Sequence, residues 1–387
     1  STGGNVSLWA DSDNNSTGYV QLKSSSSISS GGGAISLGGG SDLTSDFAFG
    51  STAETCSENS LLYISGVHMQ AGVQLNSSGG HISVRGQNAT NATSNMAFGV
   101  SLRGNDNNAV PVSIISGAGK IAIHGVATGS GTVNAQGAST WGAVTLRSAN
   151  TTADAISVIG DASALSLGAN GASLGINFTG LFEATASGGG ITFDGRGGAA
   201  NTVVGTNLSG SVLALSGPIT ILGESTNNVD PIYIGSEITI GKKAATNVTT
   251  SSSNVVFEAN AITLGNTSHL IDCSGTFTFR PRSNSFSTAL SWPITNLTLA
   301  SSVSGLTLGK STNTSDINLA SATTINGPVN VYAGNINLNQ NLITTGGNSS
   351  DVLLKSAGNI IQASGKSITT AGGDVTLWAD SDNNAAG

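Results

Sequence analysis

Residues 1–18 read STGGNVSLWADSDNNSTG, and residues 370–387 read TAGGDVTLWADSDNNAAG. Twelve of these eighteen positions are identical, at an offset of 369 residues. A phrase that returns at both ends makes a repeat architecture the first reading to test. Within it, Val6-Ser-Leu8 and Val375-Thr-Leu377 alternate apolar and small polar residues. That is the period of a strand with one buried face. The flanking Gly, Asn, Asp and Ser supply the turns.

The same triplet recurs along the whole chain, as Ile35-Ser-Leu37, Ile82-Ser-Val84, Ile121-Ala-Ile123, Ile191-Thr-Phe193, Leu306-Thr-Leu308 and Val329-Asn-Val331 among others. No segment holds a 3.6-residue apolar period over three turns, so almost no helix is expected. Asn-Gly and Asp-Gly pairs, which tight two-residue hairpins favour, are few. Longer phrases echo each other at variable spacing: GGAISLG (32–38) with GGHISVRG (79–86), and SDFAFG (45–50) with SNMAFG (94–99). Imperfect echoes of short strands suit stacked coils with loops of differing length.

Composition agrees. Only 9% of residues are charged, against about 25% in ordinary domains, and Gly accounts for 54 of 387 residues. Uncharged Ser, Thr and Asn can face an identical neighbour one strand away without the repulsion that stacked like charges bring. The net charge of −8 is thinly spread, with no basic stripe, which argues against a nucleic-acid partner. No apolar run reaches the roughly 18 residues of a membrane span.

These features predict an all-β fold, a right-handed parallel β-helix running as one continuous solenoid over residues 1–387. Residues 1–18 and 370–387 are then equivalent coils in a fragment of a longer repetitive chain. Coils of about 20 residues give roughly 17–20 coils and a rod about 90 Å long.

With those residues in view, the chain resembles the repeat regions of filamentous-haemagglutinin-like bacterial exoproteins. The phrases that carry the resemblance are GGHISVRG (79–86), GAGKIAIHGVA (117–127), SGGGITFDGRGG (187–198) and, above all, residues 333–384. The resemblance implies a secreted or cell-surface β-helical shaft that extends an adhesin or builds a filament. Its expected partners are further copies joined end to end, laterally associated fibres and surface glycans.

Candidate chemistry is sparse. Asp11, Asp13 and Asn15, and their copies Asp380, Asp382 and Asn384, place oxygen ligands at alternate positions, as a calcium loop begins. The EF-hand pattern fails, because Ser16 and Ala385 stand where it needs Gly and Leu22 where it needs Glu. The plain alternative is a polar corner whose side chains cap local backbone groups. No other cofactor is expected. Acids such as Asp154, Asp161, Glu183, Asp194 and Glu224 are scattered along the chain, and no Ser/His/Asp or His-x-x-x-His arrangement appears, so no enzyme is expected. The alternative function is a carbohydrate-active or carbohydrate-binding β-helix, which grouped acids on one face would favour. The four tryptophans, Trp9, Trp141, Trp292 and Trp378, are candidate sugar platforms or edge covers. Cys56 and Cys273 are expected to lie about ten coils apart, roughly 50 Å, too far for a disulfide.

Overall fold

The computed structural model describes residues 3–383, apart from 51–55, 59–60, 89–95, 106–108, 132–133, 168–170, 181, 228 and 243–250. The chain winds through three faces in turn, and each face is a parallel sheet whose neighbours come from successive coils. Parallel neighbours need a crossover between them; here the other two faces are the crossover.

Face one runs without a break from Val6–Ala10 to Val375–Trp378, thirteen strands in sequence order. Face two holds eight successive strands, from Val20–Leu22 to Ile262–Leu264, and is continued by a separate four-stranded sheet from Leu290–Trp292 to Ile360–Gln362. Face three holds nine, from Ser27–Ser29 to Leu297–Leu299, followed by a three-stranded sheet from Thr323–Ile325 to Ile368–Thr369. The one helical element among the described residues is a 3-10 turn, Gly347–Ser349. Cys56–Glu58 pairs antiparallel with Leu61–Met69 outside the three-face path.

The register explains why these triplets form rungs. In face one Val6, Ile35, Ile82, Ile121, Ile156, Ile191 and Ile219 stack in one inward column. Val255, Phe277, Leu306, Val329, Val352 and Val375 continue it. The middle residue of each triplet points outward, giving a column that is mostly Ser and Thr, including Ser36, Ser83, Ser157, Thr192, Thr220 and Thr278. A one-residue slip would exchange the two columns, so burial sets the register. Outward amides also form ladders: Asn207 Nδ2 donates to Asn177 Oδ1 (2.8 Å), Asn177 Nδ2 to Gln136 Oε1 (3.1 Å), and Asn337 Nδ2 to Asn318 Oδ1 (2.8 Å).

The coil number differs from the sequence expectation. Face one counts thirteen rungs, not 17–20, and at about 4.8 Å per rung the stack is roughly 58 Å long rather than 90 Å. The coils nearest the expected length are Val255 to Phe277, at 22 residues, and those marked by Leu306, Val329, Val352 and Val375, spaced 23 residues apart. The coils from Ile82 to Ile219 are longer because two faces extend beyond the core and lie back to back.

Glycine makes that close approach. Gly86, Gly125, Gly160, Gly195 and Gly223 form an inward column on face one. Across from them stand Gly66, Gly99, Gly137, Gly175 and Gly205 of face two, each with another strand's backbone where a Cβ would go. Beyond this seam Ile64, Ala97, Ala127, Ala135, Ala162 and Leu165 form a second, smaller core. The coil therefore encloses two cores divided by a wall of backbone.

Candidate functional site

The outward side of face one carries the charge. Two residues after each Ser/Thr position, the register aligns His124, Ile159, Asp194, Leu222, Glu258 and Arg280 in one column. Two residues further, Val126, Asp161, Arg196 and Glu224 form the next. Acids that are scattered in sequence thus meet on adjacent rungs, interleaved with arginines.

Asp194 is the centre. Its Oδ2 accepts from Arg196 Nη2 at 2.9 Å and its Oδ1 from Arg282 Nη1 at 2.6 Å. Arg196 Nη1 lies 3.6 Å from Asp161, and Arg282 Nε lies 3.3 Å from Glu224. Arg282 follows the strand Phe277–Arg280, so its side chain reaches back across two intervening rungs to Asp194. Both Arg282 and Asp194 are less than one-fifth exposed. Glu258 pairs separately with Arg280 at 2.6 Å. Beside this network lies a polar groove of about 410 Å³ lined by Glu224, Ser225, Thr226, Asn260, Arg282 and Ser283.

On the N-terminal side the first column continues to Arg85, and next to Arg85 stands His124. Its ring meets Phe47 edge-on at 4.9 Å, and the Arg85 guanidinium lies 4.5 Å from the same Phe47 ring. Burial first, and then the nearby Arg85 charge, push its pKa down to about 4. Arg85 is held by the Asp46 carbonyl at 3.2 Å and by that of Ser45.

The two copies of the repeated phrase lie on the first and last rungs of face one. Trp9 and Trp378 are each about half exposed. The Trp9 indole donates to the Gly40 carbonyl at 2.6 Å, and Lys355 Nζ sits 4.1 Å from the Trp378 ring. Trp141 stacks near Arg103, whereas Trp292 is buried against Phe277.

In the first copy, Asp11 Oδ1 accepts the Asn15 amide at 2.9 Å and the Thr17 amide at 3.3 Å. Asn15 Nδ2 donates to Asp13 Oδ2 at 2.7 Å, while its Oδ1 caps the Thr17 amide at 2.9 Å. These are the local side-chain caps of a tight polar turn. Asp11 and Asn14 adopt the left-handed conformation, and so do Asp380 and Asn383, so the second copy repeats the turn. Asp382 lies in that second turn; Asn384 falls outside the described residues. Among the described residues no three His, Cys, Asp or Glu side chains gather in a way that could hold a metal ion.

His68 and His81 lie on different faces: His68 is buried in face two, and His81 accepts the Lys120 amide at 2.9 Å just before face one. Cys273 is a buried free thiol whose pKa burial pushes up to about 11. It follows the face-three strand His269–Ile271, six rungs beyond Gln74–Asn76 of the coil that follows Cys56. That is roughly 29 Å rather than the expected 50 Å, and it is shorter because the coils are longer.

Fold and site together define a parallel β-solenoid with one ion-paired outward stripe. No protein-family model, curated protein or solved structure matches the chain.

Proposed function

We propose that this chain is a stiff shaft segment of an extracellular bacterial fibre, of the filamentous-haemagglutinin-like kind. The observation that carries the reading is the unbroken thirteen-strand parallel sheet of face one, buried inward and with a Ser/Thr-rich column outward. Every rung is hydrogen-bonded to the next, so a continuous backbone ladder bears axial load. That uncharged column allows copies to lie side by side without like-charge repulsion. End-to-end continuation, lateral association and surface glycans are the partners this reading names.

Electron microscopy and fibre diffraction of the native material test it. The expected result is filaments of uniform width with an axial spacing of about 4.8 Å. Isolated particles with no fibre and no axial repeat would overturn it.

A second reading, carbohydrate binding along the stripe, is favoured by the polar groove beside Glu224 and Arg282. Its carboxylate, guanidinium, amide and hydroxyls match the hydroxyls of a glycan. A glycan array read with the native chain and with Glu224→Gln tests it: a hit that the variant loses supports the reading, and an empty array removes it.

A further inference from the structure

Face two is interrupted at one place. Ile262–Leu264 pairs only with Asp230–Ile234, and Leu290–Trp292 pairs only with Ile317–Leu319, although the two strands belong to successive coils. Their flanks are pinned together. Ser287 N donates to the Asn260 carbonyl at 2.9 Å, and Asn296 Nδ2 donates to the Gly265 carbonyl at 2.7 Å. Between these pins one chain runs from 261 to 264 and the other from 288 to 295. The longer arm spends four more residues on the same span, and a cleft of about 410 Å³ lies between the two.

The cleft has the chemistry of a vacant rung. In a parallel strand both main-chain groups of a residue point to the same side, and successive residues alternate. Gly265 N donates to the Ile234 carbonyl, away from the cleft. Thr263 therefore faces that side too, and Ile262 and Leu264 turn their N–H and C=O groups to the cleft. On the other wall Leu290 N donates to Asp316 and the Trp292 carbonyl accepts from Ala320. That leaves the main-chain groups of Ser291 facing inward. Below these edges Ile262, Leu264 and Leu290 are only partly buried, unlike the inward residues of most other rungs, and Phe279 and Phe286 form the floor. No charged side chain lines the cleft.

We propose that this cleft receives an extended peptide segment of a partner protein, uncharged and alternating apolar with small polar residues, which adds one rung to face two. Two facing main-chain edges recognise a strand, the uncharged lining selects an uncharged segment, and the exposed inward side chains take its apolar residues. The five-residue spacing between the pins corresponds to about 16 Å, which admits three or four residues, the chain leaving outward at each end. Such a slot gives the shaft a lateral attachment point independent of its ends.

The test uses the full chain carrying Trp9→Phe, Trp141→Phe and Trp378→Phe, which leaves buried Trp292, between the cleft residues Ser291 and Pro293, as the reporter. The probe is the capped hexapeptide Asn-Ile-Asn-Leu-Asn-Gln, copied from residues 335–340, whose own strand continues this face. A saturable change in Trp292 emission below about 1 mM is expected. Replacing the peptide's Ile and Leu by Asp, or N-methylating its alternate amides, should weaken binding at least tenfold. Ser291→Pro removes a cleft-facing N–H without taking a ladder bond and should weaken it similarly. No saturable response, or equal binding of the N-methylated peptide, would overturn the strand slot. A response to maltose but not to the peptide would make the cleft a sugar pocket instead. Concentration-dependent dimerisation that Ser291→Pro abolishes would assign the slot to a second copy and overturn the partner.

Discussion

At Gly125 a Cβ would overlap the carbonyl of Gly137 on the opposite face. No rotamer relieves that overlap, because both groups are backbone. Gly125→Ala should therefore force faces one and two apart and cost several kcal/mol, of the order seen when cores are overpacked or more; thermal unfolding of the variant measures it. An alanine that leaves the melting temperature within a degree would show that the seam is not a close contact. His124 gives a pH dependence whose sign is determined. Its folded pKa is about 4, against 6.5 for the free side chain. Between those values the unfolded chain binds a proton that the folded chain refuses, so the contribution is complete above pH 6.5 and is lost as pH falls toward 4. Buried His269, whose pKa burial also lowers, acts in the same direction. His124→Gln should flatten the fall of melting temperature between pH 6.5 and 4, and an unchanged slope would remove His124 as its source.

Among elements, the ladder strands were legible in sequence and their sorting into coils was not. Ile191-Thr-Phe193 declares a strand by its period alone, and it opens the strand Ile191–Ala199 in the structure. A glycine two residues past such a triplet reads, by residue type alone, as a turn. Ile121-Ala-Ile-His-Gly125, Ile156-Ser-Val-Ile-Gly160 and Ile219-Thr-Ile-Leu-Gly223 share one spacing, which puts the glycine on the inward side of a continuing strand. That regularity was the available signal for the longer coils. The charged stripe carried no local signal at all, because Asp194 and Arg282 are 88 residues apart and meet only through stacking. Arg282 joins rungs that are otherwise coupled only to their neighbours. Arg282→Ala leaves a mostly buried Asp194 oxygen without its partner, a loss of about 1–3 kcal/mol. Hydrogen exchange should rise in Ile191–Ala199 and Ile219–Ser225 and stay unchanged in Val329–Ala333, since solenoid coupling is local. A uniform rise along the chain would contradict a local clamp.

For the whole molecule, one hydrophobic core runs from Val20 to Leu354, but with nearest-neighbour pairing in every sheet each coil is coupled only to the two beside it. The central coils have two cores and a glycine seam, whereas the coils from Leu306 onward have one core and 23-residue turns. Two stretches of different construction, coupled only through the rungs between them, have no reason to melt together. The breaks between Ile262–Leu264 and Leu290–Trp292 on face two, and between Leu297–Leu299 and Thr323–Ile325 on face three, weaken the coupling further. Trp292 lies at that boundary and reports on it, whereas far-ultraviolet circular dichroism averages over every strand. Urea unfolding of the triple Trp→Phe chain should therefore give two transitions that do not coincide, with Trp292 emission changing at its own midpoint. Superimposable curves, the signature of two-state behaviour, would show that the rungs transmit cooperativity along the full 58 Å or so of stack, and the picture of locally coupled coils would fail.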